Sequence, residues 1–591
     1  MSHTFHIPVL GLGFSVDTPL KVARYGISSV MSIVDDELTE RMREYHCRQN
    51  NLPYEPIHKH EADHRAKRIT AYLNLVKQLA DAQFEDLKKQ EFKAGTDITR
   101  YFELLPDTSQ LKQGYDLMME FPEGDGKTIF ENILRKKMIQ GAIDVNIMAK
   151  VDKMNFDADG HYYGDEYTDA IAALRGFANS DLSSSVVLSA GMNPKLYSYL
   201  EHCADFFPDQ DGNIKKKVIL KVSDFRSAFI QAKFLAKKGL WVSEFRIESG
   251  LNCGGHAFAT EGYLLGPILE EFKLRRASMQ MELFEMMRTA LTAKSIDMDA
   301  APKQRITVQG GIGTAEENNF LMSYYQLDGT GWGSPFLLVP EATNVDKHTL
   351  AKLATSTEDD YYTSNASPLG VLFNNFRGST IEDLRLKRMD KGRPGSPCTK
   401  KFLLTNTEFT EKPICTASRE YQRLKIAELD SQVITSSETY EHKLAEITEK
   451  ICLCEGLCAS AYLKYDIIKP KESTAVAVCP GPNLAYFDKV YSLDEMVGHI
   501  YGKINLLQHA QRPHLFLKEL QLYTQYWLND MKRNIAELTD KKKVQLHKFK
   551  EQLLSGISYY QNLFQDNQML LAELDNYLNQ LKESLSPTYQ L

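Results

Sequence analysis

The sequence predicts an α/β protein built on a TIM-type (β/α)8 barrel. Two observations carry this. Eight short apolar, β-branched runs recur over the first 340 residues, at 6–14, 28–34, 142–151, 184–191, 216–223, 241–250, 305–313 and 330–339. Such runs suit strands buried on both faces of a parallel sheet, and the segments between them carry helical patterns. The last two runs also end in glycine-rich turns, where a barrel of this kind grips phosphate, which favours the barrel over an open doubly wound sheet.

The elements follow in order. The first run leaves through "GLGF", and a short helix over 17–26 stops at Gly26. Residues 37–140 are too long for one crossover and are rich in charge and helix formers, as in "RAKRITAYLNLVKQLADAQFEDLKKQ"; they read as a helical insertion after the second strand. Ile171, Leu174 and Phe177 mark a helix by their spacing. Asn193 as N-cap and Pro194 at the first helical position start another, and Ser223 caps a third that ends in Lys237, Lys238 and Gly239. From about residue 396 the strand rhythm is lost. There Leu546, Phe549, Leu553, Ile557, Tyr560 and Phe564 form one stripe of an amphipathic helix, which reads as core packing, with a homodimer seam as the alternative. The expected organisation is a barrel domain of residues 1–36 and 141–395, a helical insertion of 37–140, and a mainly helical region of 396–591.

Composition narrows the partners. The chain has 591 residues, 70 basic against 78 acidic, for a net charge of −8, which disfavours nucleic acid and anionic membranes. No apolar run reaches the ~20 residues of a membrane span. The start, "MSHTFHIPVLGLGFSVD", lacks the basic stretch of a signal peptide, and the odd count of nine cysteines reads as reduced thiols; both point to the cytoplasm.

Chemistry concentrates at the strand ends. The seventh run closes with Gly310, Gly311, Ile312 and Gly313, then Thr314 as N-cap and Glu317 completing a capping box. Free amides at a helix start behind glycines make an anion site. The eighth run adds Gly329, Gly331, Gly333 and Ser334. The plainer reading of both is tight barrel corners. The other nucleotide motif, Gly11-Leu12-Gly13-Phe14-Ser15-Val16, lacks the third glycine of a dinucleotide fold and a placed ribose acid.

Taken in order, "IPVLGLGF", "DVNIM", "SAGMNP", "LNCGGH", "QGGIG" and "GWGSPFLLVPEA" resemble the strand-end motifs of nitronate monooxygenases and their relatives, the FMN-dependent enoyl-thioester reductases. "FNNFRGST" echoes a later segment of that family, and the resemblance covers residues 1–36 and about 141–380. The resemblance implies FMN, with its phosphate on Gly310, Gly311, Gly313, Gly333 and Ser334, and its ring near Gly11 and Asn146. Gly191 belongs to the fourth-strand motif. Lys221 either brings positive charge to the cofactor or forms a structural ion pair. Gly254 and Gly255 would let the backbone approach the flavin, with His256 as the proton-transfer group. The departures are Asn252 for Glu, Cys253 for Ala, and Ser334-Pro335 for Thr-Arg.

The implied reaction is oxidation of a small carbon acid such as a nitronate. The alternatives are reduction of an acyl (enoyl) thioester by NAD(P)H, and a non-catalytic flavin-binding part of a larger assembly. Cys452, Cys454, Cys458 and Cys479 could hold zinc or an iron–sulfur cluster, but their spacing matches no common pair; they are expected to be metal-free buried thiols, as are Cys398 and Cys415.

Overall fold

The computed structural model describes residues 2–157, 159–189, 191–252, 262–432, 436–534 and 539–584. Eight parallel strands close into a barrel: β1 (Phe5–Ile7), β2 (Ser28–Ser32), β3 (Ile143–Ile147), β4 (Ser185–Leu188), β5 (Lys217–Val222), β6 (Val242–Glu248), β7 (Arg305–Gln309) and β8 (Gly329–Gly331). Each pairs with its neighbour in sequence, and β8 returns to β1 through Phe5 opposite Thr330. The apolar runs therefore are the eight strands. The eighth is shorter than its run: Ser334–Leu338 turns into a 3₁₀ helix, with Pro335 placed where a missing N–H costs nothing.

Caps follow local chemistry. Asn193 accepts the Leu196 N–H, as expected. The helix after β5, Phe225–Ala236, is capped one residue later than Ser223, because the Asp224 carboxylate accepts the Ser227 N–H. Thr314 caps the helix Ala315–Tyr324, but Glu317 closes on the Gly313 amide and not on that of Thr314, so the capping box is half formed.

The barrel interior is not uniformly apolar. Val9, Val30, Val187 and Ile219 form a small separate hydrophobic cluster. The interior also holds charge. Glu244, Arg246 and Glu248 alternate along β6 with the apolar Phe245 and Ile247. Glu244 Oε1 accepts from Arg246 Nε at 2.9 Å and Thr307 Oγ1 at 2.7 Å, and its Oε2 meets Arg305 at 2.8 Å. Burial works to raise the Glu244 carboxyl, but Arg246 and Arg305 outweigh it and hold it at about 2.

Between β2 and β3 run five helices, Asp36–Gln49, His64–Lys89, Asp97–Glu103, Gln110–Glu120 and Asp125–Lys137. After β8 come a hairpin, β9 (Tyr361–Ser364) with β10 (Phe373–Phe376), which the sequence pattern did not announce, and a mainly helical remainder. The helix Asp540–Leu563 buries Leu546, Phe549, Leu553 and Tyr560. Phe549 packs against Tyr526, and Tyr560 stacks on Phe516 and hydrogen-bonds the Gly266 amide, so the stripe is spent inside the chain. Among the described residues, no helix is long and apolar enough to cross a membrane.

The helix Leu453–Lys464 docks on the turn after β1. The Gly13 amide donates to the Leu457 carbonyl at 2.8 Å, and a Cβ at Gly13 would lie 2.9 Å from that oxygen. Gly13 is therefore a close-approach glycine. Gly13→Val is expected to destabilise the protein by about 1–3 kcal/mol through overpacking against helix backbone. Urea unfolding checks this; wild-type stability would refute the docking role.

Candidate functional site at the barrel mouth

The C-terminal strand ends surround a cavity with about 1100 Å³ of unfilled space, its open mouth included. Gly11 lies at its wall after β1, Ser32 at the end of β2, Asn146 on β3, Lys221 on β5 and Asn252 after β6. The opposite wall is apolar: Leu369, Val371 and Phe373 from the hairpin, Phe402 and Leu403, and Leu453 and Leu457 of the docked helix. Three of the residues picked from the sequence, Gly11, Asn146 and Lys221, thus meet here.

Lys221 is a buried ion pair and a cavity residue at once. Its ammonium lies 3.0 Å from Glu248 Oε1, the two side chains being 9% and 1% exposed. That same oxygen accepts from Asn252 Nδ2 at 2.6 Å and Gln309 Nε2 at 2.7 Å. Three donors on one carboxylate oxygen fix Lys221 and Asn252 at the wall. Asn252, where the resembling family carries Glu, joins this network as a donor. Asn146 Oδ1, Ser32 Oγ and Glu248 Oε2 are buried without a hydrogen-bond partner among the described residues. Of these residues Asn146 and Ser32 line the cavity, and orphaned polar atoms there suit a ligand with donors of its own.

Asn252 also lines a second, smaller space of about 240 Å³, together with Gly310, Gly311, Ile312, Gly333 and Ser334. Gly310 and Gly311 stand at φ +105° and +80°, a conformation that favours glycine. Among the described residues, the amides of Gly311, Ile312, Gly333 and Ser334 meet no acceptor, the condition an anion site requires. Gly313 is a correction: its amide is taken by Glu317 Oε2 at 2.8 Å, and it does not line this space. Gly191 lines neither cavity; at φ +105° it packs against the side chain of Lys150, which lines the larger one. Gly254, Gly255 and His256 lie outside the described residues.

Sequence reasoning missed the walls supplied by the C-terminal part. Asn483 lines the smaller space, and the Gly481 amide donates to Ser334 Oγ at 2.9 Å. The signal lies in "CPGPN", in the glycine and asparagine that follow its cysteine. Cys454 and Cys479 line the larger cavity. Among the described residues, the one convergence of three metal-type ligand atoms within 4.8 Å is Asp157, Asp159 and His161, on the surface.

No protein-family model matches the sequence, and no curated protein matches it. Among solved structures, the enoyl reductase domain of MlnA from the macrolactin biosynthesis cluster of Bacillus amyloliquefaciens is similar at 16% identity. That similarity covers 70% of this chain and 87% of the other, with a TM-score of 0.30. A point mutant of FabK from Thermotoga maritima is similar at 11% identity, over 70% and 84% of the chains, with a TM-score of 0.29. These scores are too low for either resemblance to carry weight; the barrel rests on its own strand pairing.

Glu519, on the helix Leu515–Asn534, ties the chain on both sides of the Gly254–His256 stretch. It accepts from Ser249 Oγ and from the Leu265 amide, each at 2.7 Å. Burial pushes its carboxyl up to about 7, against partial relief from those donors. The folded protein thus keeps a proton through a pH range in which the unfolded chain, titrating near 4.5, has lost it. The resulting stability is complete below pH ~4.5 and is lost as the pH rises to ~7, a change of about 3 kcal/mol at most. Glu519→Gln removes this titration, so wild type should lose more stability than the variant across that window. Urea unfolding at stepped pH measures it; parallel curves would rule the assignment out.

Proposed function

We propose that the chain is an FMN-dependent oxidoreductase acting on an acyl (enoyl) thioester, with NAD(P)H as electron donor. The observation that carries the cofactor reading is the meeting of two spaces at Asn252: one large and mostly apolar with a few unpaired polar atoms, the other small and lined by free amides. A flat ring joined to a phosphate matches that pair. Bound FMN would supply the two-electron redox chemistry.

The chain's own residues then divide the work. The amides of Gly311, Ile312, Gly333 and Ser334 would hold the phosphate. Asn146 and Ser32 would orient the ring through Oδ1 and Oγ. Lys221, fixed by Glu248, would place positive charge at the wall. His256 would give or take a proton at an imidazole nitrogen, a role that rests on sequence alone.

The apolar wall supports the acyl-thioester reading over the nitronate one. A nitronate is a small anion and has no use for Leu369, Val371, Phe373, Phe402, Leu403 and Leu457, whereas an acyl chain would bury against them. Anaerobic mixing tests it. Flavin bleached by NAD(P)H and restored by an enoyl thioester would support the proposal. Bleaching by a nitronate alone would return the reaction to carbon-acid oxidation. Flavin that neither reduces would leave a binding component.

His256→Ala should keep flavin occupancy and lower turnover by roughly 10²–10⁴-fold, the range for a lost general acid or base. Reduction by NAD(P)H, which removes no proton from carbon, should be nearly unchanged. Equal loss in both half-reactions, with a lowered melting temperature, would retire the proton-transfer role.

A further inference from the structure

The turn that offers the free amides is itself held by the C-terminal part of the chain. Arg512 is 7% exposed at its side chain and donates from Nη2 to the Gly311 carbonyl at 2.5 Å. Its Nε donates to Asn483 Oδ1 at 2.6 Å, and its Nη1 to Glu317 Oε1 at 2.6 Å. Asn483 Nδ2 in turn donates to the Ile312 carbonyl at 2.9 Å. Gly313 makes room for this: a Cβ there would lie 2.5 Å from Arg512 Nε. Burial tends to raise the Glu317 carboxyl, but Arg512 and His514 outweigh it and keep it low.

Peptide planarity turns these contacts into an orientation. Across a trans peptide, the carbonyl of one residue and the amide of the next point in opposite directions. Arg512 draws the Gly311 carbonyl to itself, so the Ile312 N–H faces the other way, and it has no acceptor among the described residues. Asn483 does the same one peptide on: with the Ile312 carbonyl held, the Gly313 N–H points to Glu317. Left unheld, a glycine-rich turn would sample other peptide orientations, because glycine has no side chain to restrict it.

We propose that Arg512, acting through the Gly311 carbonyl and Asn483, is a positioning residue, contributed from outside the barrel, for phosphate recognition at the turn after β7. The inference rests on the FMN reading above. It assigns to the C-terminal part a share in selecting a phosphorylated flavin over the same ring without phosphate.

The test compares FMN with riboflavin on full-length apoprotein, by quenching of flavin fluorescence. Arg512→Lys keeps the charge and loses the planar fork. Arg512→Met combined with Glu317→Gln removes both charges, so that no carboxylate is left buried without its partner. Both variants should retain riboflavin affinity and lose at least ten-fold of the wild-type preference for FMN. The double variant carries the test if the single one does not fold. Equal weakening of both ligands, the mark of a merely structural residue, would overturn the inference, and so would an unchanged preference in both variants. Wild-type protein that binds the two flavins alike would overturn the phosphate assignment itself, and this inference with it.

Discussion

The inward row of β6 is the constraint on which the barrel depends. Glu244, Arg246 and Glu248 are each within 3% of full burial, in a space where an unpaired charge costs several kcal/mol. Each must therefore meet a partner from another strand, and this fixes neighbours. Glu244 needs Arg305 and Thr307 from β7, Arg246 reaches Asp144 of β3 at 3.7 Å, and Glu248 needs Lys221 of β5. A slip of one residue along β6 would send all three charges outward and bring Phe245 and Ile247 in. The charge row thus specifies register in a way that apolar packing alone does not. It also delivers Lys221 and Asn252 to the mouth in one orientation.

The barrel alone does not complete the site. Its mouth is lined on one side by the hairpin and by the helix Leu453–Lys464, and the smaller adjoining space by Asn483, which Arg512 holds. A hydrophobic surface with this much apolar wall would be a liability if left open, and burying it is favourable at roughly 25 cal/mol per Å². The cover is locked by polar contacts. Asp17, 1% exposed, accepts from Tyr465 Oη and Asn344 Nδ2, each at 2.5 Å, and its neighbour His46 lies at 3.2 Å. Barrel, insertion and C-terminal part meet at that one carboxylate.

Sequence pattern exposed the strands well because a barrel buries both faces of each strand and leaves uninterrupted apolar runs. It misjudged β6, where "SEFRIE" hides an alternation of inward charge and outward apolar residues behind an apolar-looking run. The glycines at strand ends were legible as positions, but not always as reasons. Gly310 and Gly311 line the small space, whereas Gly313 is glycine to admit a guanidinium 199 residues further along the chain. No local spacing encodes that. The same holds for Asn483, Phe402 and Leu457, whose place at the site exists only through long-range packing.

A covered mouth also changes what its residues can do. Buried at the cavity wall, the Lys221–Glu248 pair works in a medium of lower dielectric than solvent, where its field at the cavity is stronger than a surface pair's would be. Its strength is bounded, because Glu248 Oε1 shares three donors and most of the lysine charge is answered locally. The unpartnered oxygens are the counterweight: Asn146 Oδ1 and Ser32 Oγ present negative ends to the same space. A ligand there must therefore carry donors toward β2 and β3 and tolerate a partly neutralised cation toward β5. A ligand reaching the smaller space would meet there the amides that, among the described residues, have no acceptor.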